Sequence, residues 1–307
     1  MAPVITALLE PAPRSRAEQR QRDRVLNRVG RWHERRGEHG AALDCYARSS
    51  SHPARERRAR ILHRHGDEQA LCAELTTMRR DPWCPAEEDF AERFPGRRRG
   101  AEPNVTTVTL DGPTPERIER HALELLTAQG GQGWHLENLL PLGLAGLAFW
   151  DEIFAPVAGV FSHPFQPGPQ DLFWPDFART RRALLDARIA ELRRPGGFAR
   201  QLRRTMAAKQ GITNRLVHWG VLDDAWLDVL LTQVPHEPLL ELAVRAINAL
   251  ERARSGFPDL LVIYGSGAWE LVEVKGPTDQ LQPAQRVWLR ELAGLGVPAR
   301  VLRFKAP

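Results

Sequence analysis

The sequence predicts an α/β (α+β) fold in which a helical amino-terminal region precedes a module built on a small sheet. Two observations carry this prediction. Residues 14–99 are rich in Ala, Arg and Glu and follow helical spacing. Residues 256–285 contain two short apolar runs with β-branched and aromatic residues, separated by a glycine-rich turn. That second pattern is typical of a β-hairpin.

The chain contains 307 residues, which is long enough for two or three modules. Near Pro95–Pro103, Pro, Gly and Arg replace the helical pattern, as expected of a boundary between modules. We therefore expect a helical region at 1–100 and a second module at 101–307 that contains a helical insert.

Small and aromatic residues of the first region follow the spacing of a tetratricopeptide-like helical hairpin. These residues are Trp32, Gly37, Ala41, Ala42, Leu43, Tyr46 and Ala47, with a weaker echo at Gly66, Ala70 and Leu71. Two weak repeats do not make an array, so the pattern favours an ordinary helical subdomain over a true repeat module.

Composition limits the function without identifying it. The formal charge is +5 and the pI is about 9.6, which suits a polyanionic partner but does not prove one. Cys45, Cys72 and Cys84 are scattered without a C-x-x-C pair, which argues against a disulfide framework or a zinc site. No apolar run approaches the length of about 20 residues that spans a membrane. We therefore expect a cytoplasmic protein with no membrane partner.

The hairpin carries charged residues at the ends of its strands. Its apolar runs are Leu260–Tyr264 and Trp269–Val274. Asp259 opens the first strand, and Glu273 and Lys275 close the second. Residues two apart on a strand point to the same face, and the hairpin brings the first strand towards the second. Two carboxylates and a lysine are therefore expected to meet on one patch.

This constellation has a direct use in phosphodiester hydrolysis. Asp259 and Glu273 are hard oxygen ligands suited to Mg²⁺ or Mn²⁺, and the backbone carbonyl of Val274 supplies a possible third oxygen. Lys275 is placed to orient a water or to stabilise developing charge. A lone E-x-K is more often a surface ion pair, but the combination of P-D, two strands and E-V-K-G-P favours a nuclease.

The residues after Lys275 extend the pattern. Gly276 and Pro277 end the strand. Apolar residues then repeat at helical spacing at Leu281, Val287, Trp288, Leu289 and Leu292. Gln285 lies on the first turns of this helix, where its amide could reach a metal-bound water or a phosphate. A last apolar run, 299–304, predicts a third strand.

Strand, strand, helix and strand form the minimal core of a PD-(D/E)xK, restriction-endonuclease-like nuclease. The motifs G-F-P-D-L-L-V, L-V-E-V-K-G-P-T-D-x-L and Q-R-V-W-L resemble the VRR-NUC branch of that superfamily, specifically the Fanconi-associated nuclease family. The resemblance places the VRR-NUC core at about 240–305. It implies a metal-dependent, structure-specific DNA nuclease of phosphodiesterase I type: a 5′-flap endonuclease with 5′ to 3′ exonuclease character in interstrand crosslink repair. We expect a bacterial, nucleoid-associated member of the family that acts on branched DNA as a monomer.

The same resemblance adds a ligand outside the hairpin. Glu137 stands ahead of a long apolar run, predicted as one helix over 139–154, where pattern alone makes it a cap. The family carries a carboxylate ligand at the matching position of W-H-x-E, so the resemblance assigns Glu137 as a third carboxylate ligand. His135 is interpreted as structural rather than as a ligand.

Several arginines are candidates for DNA contacts. Arg179, Arg181 and Arg182, with Arg188, lie at partial helical spacing, where phosphate binding and simple solvation are about equally expected. Arg254 precedes Asp259 by five residues, and its family counterpart lies close to the catalytic site. Weaker candidates in the first region are Arg57, Arg58, Arg60, Arg79, Arg80 and the run Arg97–Arg99.

Two alternatives remain open. Isolated VRR-NUC domains form dimers suited to symmetric cuts, so the chain is alternatively a four-way-junction resolvase. A catalytically silent DNA-binding scaffold is the other alternative, although every charged position of the motif is in place. The chain is short for the family, which implies a truncation, a split gene product or a compact variant. Protein partners are not indicated by the sequence.

Overall fold

The computed structural model describes residue 13 and residues 16–96 and 103–307. The chain divides into two compact units, Met1–Gly100 and Ala101–Pro307. Among the helices that the structure describes, none combines the length and the apolar character needed to cross a bilayer.

The first unit is helical, as predicted. Successive helices pack against one another. Gly30 is required at one contact, because a Cβ at this position would lie 2.6 Å from Cε1 of Tyr46. The tetratricopeptide-like character stays a prediction. The helices are α1 (Arg16–Arg35), α2 (His39–Ala47), α3 (Ala54–His65), α4 (Glu68–Arg80) and α5 (Pro85–Arg93).

The second unit is built on one five-stranded sheet. Its strands are β1 (Val105–Thr109), β2 (Gly131–His135), β3 (Leu260–Tyr264), β4 (Trp269–Lys275) and β5 (Ala299–Lys305). The order across the sheet is β1-β5-β4-β3-β2. The β1–β5 and β5–β4 pairs are parallel, whereas β4–β3 and β3–β2 are antiparallel. The predicted hairpin and third strand are therefore confirmed.

Helices precede, interrupt and follow the strands. They are α6 (Ile118–Thr127), α7 (Leu139–Ala148), α8 (Trp150–Ile153), α9 (Phe177–Thr180), α10 (Arg182–Leu192), α11 (Gly197–Lys209), α12 (Asp224–Gln233), α13 (His236–Asn248), α14 (Leu250–Ala253) and α15 (Pro283–Gly294). Helices α7 to α14 form the insert between β2 and β3.

The sheet buries both faces, since residues along β3 and β4 alternate between two hydrophobic cores. Val262 and Val272 pack on one face with Ala122 of α6. Leu261 and Leu271 pack on the other face with the insert helices and α15. Glu273 and Lys275 continue the alternation begun by Leu271. Both charged side chains therefore project from the face that carries the insert.

Two elements differ from the sequence prediction. The helix predicted over 139–154 is wrong as a single helix, because α7 ends at Ala148 and α8 begins at Trp150, with Phe149 between them at φ −119° and ψ 29°. Strand β2 was not predicted, since its sequence GQGWH lacks the usual strand composition. Gly133 is needed in β2, because a Cβ there would lie 2.4 Å from the Leu123 side chain of α6.

Candidate active site

Three segments meet where β2, β3 and β4 approach one another. The backbone carbonyl of Asp259 accepts hydrogen bonds from the N–H groups of Leu136 and Glu137, at 2.9 and 3.1 Å. The Asp259 carboxylate accepts a hydrogen bond from the Val274 N–H at 2.8 Å through Oδ2. Asp259 therefore joins the segment after β2 to the end of β4 through its own backbone and side chain.

Glu137 has an unusual backbone conformation. Among the residues that the structure describes, it is the only non-glycine residue with a positive φ, at 45°. Such a left-handed conformation costs about 1–3 kcal/mol and is concentrated at functional sites. The two hydrogen bonds to the Asp259 carbonyl hold this segment in place. The cost of the conformation is thus spent on placing the Glu137 carboxylate beside Asp259.

His135 also lies at this cluster. One ligand atom each from His135, Glu137 and Asp259 falls within 4.8 Å of the others. The distance from His135 Nε2 to Glu137 Oε1 is 3.2 Å. The interpretation of His135 as structural placed it outside the ligand set, but its imidazole stands among the carboxylates. It is a candidate ligand that the sequence pattern did not reveal.

Glu273 is buried, with 1% of its surface exposed. Its Oε1 atom accepts hydrogen bonds from Lys275 Nζ at 2.7 Å and from Gln285 Nε2 at 2.5 Å. Its Oε2 atom is buried and has no hydrogen-bond partner among the described residues. Since a buried carboxylate oxygen without a partner is costly, Glu273 is arranged to receive a ligand rather than to complete a closed network.

Two carboxyl groups of the site, those of Glu273 and Asp259, have raised pKa values. Burial raises the pKa of Glu273 to about 7, and the negative charges of Asp259 and Glu137 act in the same direction, while Lys275 opposes the rise. Burial also raises the pKa of Asp259, against the Val274 N–H and the charge of Lys275. The single positive charge of Lys275 does not neutralise the negative charge of these carboxylates, so a further cation would be electrostatically favoured at this site.

Gln285 is predicted to reach a water or a phosphate, and its amide contacts two protein groups in the structure. Its Oε1 atom accepts a hydrogen bond from the Gln282 N–H at 2.8 Å, as part of the capping box that begins α15. Its Nε2 atom donates to Glu273. The cap determines which end of the amide faces Glu273. Gln285 is therefore a positioning residue that acts through Glu273.

The residue types and their arrangement fit a divalent cation. Carboxylate oxygens are the donors that Mg²⁺ and Mn²⁺ prefer. The Oε2 atom of Glu273 has no hydrogen-bond partner among the described residues. Burial and, after it, the neighbouring negative charge raise the pKa of Glu273, and a cation at this position would stabilise the ionised carboxylate. His135, Glu137 and Asp259 form the tight group of possible donors. Glu273 is a further carboxylate, and the charges of Asp259 and Glu137 raise its pKa.

Other motif residues have packing roles. Gly256 has φ 83°, and a Cβ there would lie 2.6 Å from the backbone of Ala284. The Phe257 N–H donates to Asn138 Oδ1 at 3.2 Å, and the Phe257 ring packs edge-on against Trp288. The G-F-P-D motif therefore locks the segment before β3 onto α15 and onto the start of α7.

Arg181 does not face solvent, and the expectation that it contacts DNA is wrong. It is 1% exposed, and it forms a two-pronged ion pair with Asp171 at 2.7 and 3.1 Å. Its Cζ atom lies 4.2 Å from the centre of the Phe177 ring. The helix predicted to carry a basic face is broken at Arg181, between α9 and α10, which turns this side chain into the core.

The remaining arginines of that predicted face separate in the structure. Arg179 is exposed and lies 3.6 Å from Asp176. Arg182 bonds Asp186 and Asn248. Arg188 is held by carboxylates of α8 and α10, which are Glu152 and Glu191. No continuous basic face of Arg179, Arg181, Arg182 and Arg188 forms in this part of the described chain.

The weaker candidates of the first unit are mostly paired. Arg57 binds Glu34, Arg58 binds Glu74, Arg60 binds Glu56, and Arg79 lies 3.6 Å from Glu92. The run Arg97–Arg99 lies outside the described residues. Arg254 differs from these arginines, because it is exposed and stacks on Phe173, with its Cζ atom 4.5 Å from the ring centre.

Comparison with known proteins agrees with the geometry. The VRR-NUC domain pattern matches residues 194–306. The Fanconi-associated nuclease 1 homolog of Pseudomonas aeruginosa is 32% identical to this chain over 263 residues, covering 79% of the chain and 46% of that relative. The chain belongs to the Fanconi-associated nuclease family. Its fold is that of a VRR-NUC nuclease with a helical amino-terminal region.

A second relative and a solved structure are also similar to this chain. Fanconi-associated nuclease 1 of Mus musculus is 33% identical over 208 residues, covering 64% of this chain and 20% of that relative. A crystal structure of paFAN1 bound to 2-nucleotide 5′-flap DNA with a gap matches with a TM-score of 0.78 and 28% identity. That match covers 97% of this chain and 57% of the other. The chain thus spans less than half the length of these two curated relatives.

Proposed function

We propose that this member of the Fanconi-associated nuclease family is a metal-dependent nuclease that cuts branched DNA at a 5′ flap. The observation that carries the proposal is the buried Glu273 carboxylate, which keeps Oε2 unpartnered while Lys275 and Gln285 hold Oε1. The Asp259 carbonyl holds the Glu137 segment by hydrogen bonds, and the Asp259 carboxylate accepts a hydrogen bond from the N–H of Val274, the residue after Glu273. The paFAN1 structure with bound 5′-flap DNA supports the choice of substrate.

The proposed ligands of Mg²⁺ or Mn²⁺ are Glu137, Asp259, Glu273 and the Val274 carbonyl, with His135 as an additional candidate. The ion, when bound, would lower the pKa of a water and offset charge on the phosphate. The Val274 N–H fixes the Asp259 carboxylate, and the strained backbone at Glu137 presents the second carboxylate.

Lys275 has the second chemical role. Its ammonium is buried, with 8% of the residue exposed, and it lies on the same face of β4 as Glu273. It is placed to orient the attacking water and to stabilise charge that develops on the phosphate oxygens. The water oxygen forms a bond to phosphorus as the P–O3′ bond breaks, which leaves a 5′-phosphate and a 3′-hydroxyl. That outcome is hydrolysis of the phosphodiesterase I type.

Further parts of the proposal rest on family membership. We infer 5′ to 3′ exonuclease character, action as a monomer and a role in interstrand crosslink repair. Exposed Arg179, Arg182 and Arg254 are proposed to contact DNA, whereas Arg181 is not. The described helical unit, residues 16–96, is proposed to brace the DNA.

The test uses end-labelled 5′-flap, 3′-flap, four-way-junction and single-stranded DNA with Mn²⁺, Mg²⁺ or chelator. We expect a cut near the junction of the 5′ flap that is lost with chelator and in Asp259→Ala. Asp228→Asn is the matched control, because it removes an exposed carboxylate of the same unit. Cleavage that survives in Asp259→Ala contradicts the site. Symmetric cuts in the four-way junction, made by a dimer, would favour the resolvase, and binding without cleavage would favour the scaffold.

A further inference from the structure

Two exposed arginines share one aromatic ring in the nuclease unit. The Cζ atoms of Arg215 and Arg254 lie 4.9 and 4.5 Å from the centre of the Phe173 ring. Phe173 is half-buried and packs against the main hydrophobic core, so the ring is anchored. The three residues come from separate segments: the loop between α8 and α9, the loop between α11 and α12, and the end of α14. The tertiary fold therefore creates this arginine–phenylalanine cluster.

Neither arginine of the cluster is paired with a carboxylate among the described residues, although most nearby arginines are. Arg181, Arg188, Arg203 and Arg245 all bind Asp or Glu side chains. Arg215 and Arg254 instead place two positive charges against a single ring. Like charges repel at this range, and the ring faces offset the repulsion in part. An anion that bound both guanidinium groups would remove the repulsion.

The backbone that carries Arg215 is well held. The Arg215 N–H donates to the Pro167 carbonyl at 3.0 Å, and the neighbouring Asn214 side chain accepts from the Leu216 N–H at 2.8 Å. A Cβ at Gly168 would meet the Arg215 side chain at 3.5 Å, so this stem lies close against the loop. The Arg215 side chain is thus preorganised, which lowers the entropy cost of binding a ligand.

The cluster is connected to the candidate active site through the segment after Arg254. The Ser255 carbonyl accepts a hydrogen bond from Trp288 Nε1 at 3.2 Å. Gly256 packs so closely on α15 that a Cβ there would lie 2.8 Å from the Gln285 nitrogen. Gln285 in turn donates to Glu273. Gly256, two residues after Arg254, therefore contacts the backbone of Gln285, and Gln285 bonds Glu273.

Guanidinium groups stacked on a ring leave their N–H edges free, and those edges match the oxygens of a phosphate. We propose that Arg215 and Arg254, supported by Phe173, bind an internal backbone phosphate of the DNA strand that enters the site at Asp259 and Glu273. This inference rests on the proposed function, since it supplies part of the substrate contact for the same site. It assigns Arg215 and Phe173 a role that no sequence pattern indicated.

Binding is measured by fluorescence anisotropy of a 5′-flap DNA in chelator, so that no cleavage occurs. The proteins are the full chain, Arg215→Ala, Arg254→Ala, the double variant and Phe173→Leu. Arg120→Ala is the matched control, because Arg120 is exposed and pairs with Glu124 within α6. Each single arginine variant is expected to bind about 3- to 10-fold more weakly and to reduce the salt-dependence slope by about 1, whereas the control changes neither.

A second arm locates the phosphate. Each phosphate near the junction is replaced in turn by an uncharged methylphosphonate. A methylphosphonate at one internal position should weaken binding of the DNA by the intact protein. The same replacement should not weaken binding by the double variant any further. Phe173→Leu keeps apolar volume but removes the ring, so it should reproduce part of the loss while both arginines remain.

Three results would overturn the inference. The first is that each methylphosphonate lowers the DNA affinity of the double variant by the same factor as it lowers the affinity of the intact protein. The second is a loss that follows only removal of the 5′-terminal phosphate. The third is Arg215→Ala binding as tightly as Arg120→Ala. Failure of the proposed function looks different, because the intact protein would then leave the flap uncut with Mn²⁺ or Mg²⁺, whether or not it binds the DNA.

Discussion

Replacing Glu273 by Gln should stabilise the protein at alkaline pH when no metal is present. Burial and the neighbouring carboxylates raise the pKa of Glu273 from 4.5 to about 7. The folded protein therefore holds this proton more tightly than the unfolded chain does. The stabilisation is fully present below pH 4.5, and it is lost as pH rises through 7.

The magnitude follows from the same values. One pKa unit corresponds to about 1.4 kcal/mol, so the rise from 4.5 to about 7 makes ionised Glu273 cost about 3 kcal/mol above pH 7. Gln resembles the protonated acid, and its carbonyl still accepts from Lys275 and Gln285. The variant should exceed the intact protein by up to about 3 kcal/mol at pH 8, and the difference should shrink towards pH 5.

The assay is urea unfolding of both proteins in chelator between pH 5 and 8.5, with Asp186→Asn as a control that should show no such difference. A second series with Mn²⁺ at about 1,000 times the dissociation constant should reverse the order, because binding to the folded state then adds about 4.1 kcal/mol. Glu273→Gln with lower stability than the intact protein at pH 8 in chelator would refute the reasoning about the buried carboxylate.

Three further predictions follow from the contacts of single residues. Lys275→Ala should reduce kcat for flap cleavage about 10²- to 10³-fold and leave flap binding unchanged, so weakened binding with normal kcat would contradict its role. Gln285→Ala should weaken metal affinity about 10- to 100-fold by freeing Glu273, which a metal titration followed by tryptophan fluorescence measures, and an unchanged affinity would exclude the positioning role. Arg181→Ala should destabilise the fold by about 3–5 kcal/mol, because it leaves buried Asp171 unpaired, and should leave the salt dependence of DNA binding intact. A changed salt slope in a folded Arg181 variant would restore its place among the DNA contacts.

Local chemistry was sufficient to predict the hairpin and its charged residues. Apolar alternation and the glycine turn predicted β3 and β4, and the two-residue period of a strand put Glu273 and Lys275 on one face. The carboxylate opening β3 had to approach them, because a tight hairpin leaves no other register. In the structure, the Val274 N–H donates a hydrogen bond to the Asp259 carboxylate, which shows that the two strand ends are close.

Glu137 and His135 could not be derived in this way. His135 ends strand β2 and Glu137 follows it two residues later. This strand is rich in glycine, because its backbone packs against α6 and leaves no space for a side chain at Gly133. A segment chosen for close approach has neither the composition nor the alternation of a strand. Resemblance to a family supplied Glu137, whereas the place of His135 emerged from the structure alone.

The sequence by itself was thus sufficient to predict the hairpin, the third strand, and the proximity of Asp259, Glu273 and Lys275. Strand periodicity acts between near neighbours in the chain, so it can be read locally. The tertiary structure decided which arginines are available to DNA. Arg181 is buried by a break between two short helices, and Arg215 meets Arg254 on Phe173 through three segments far apart in the chain. Charge patterns record which residues are basic, but burial and pairing depend on long-range packing that no local period encodes.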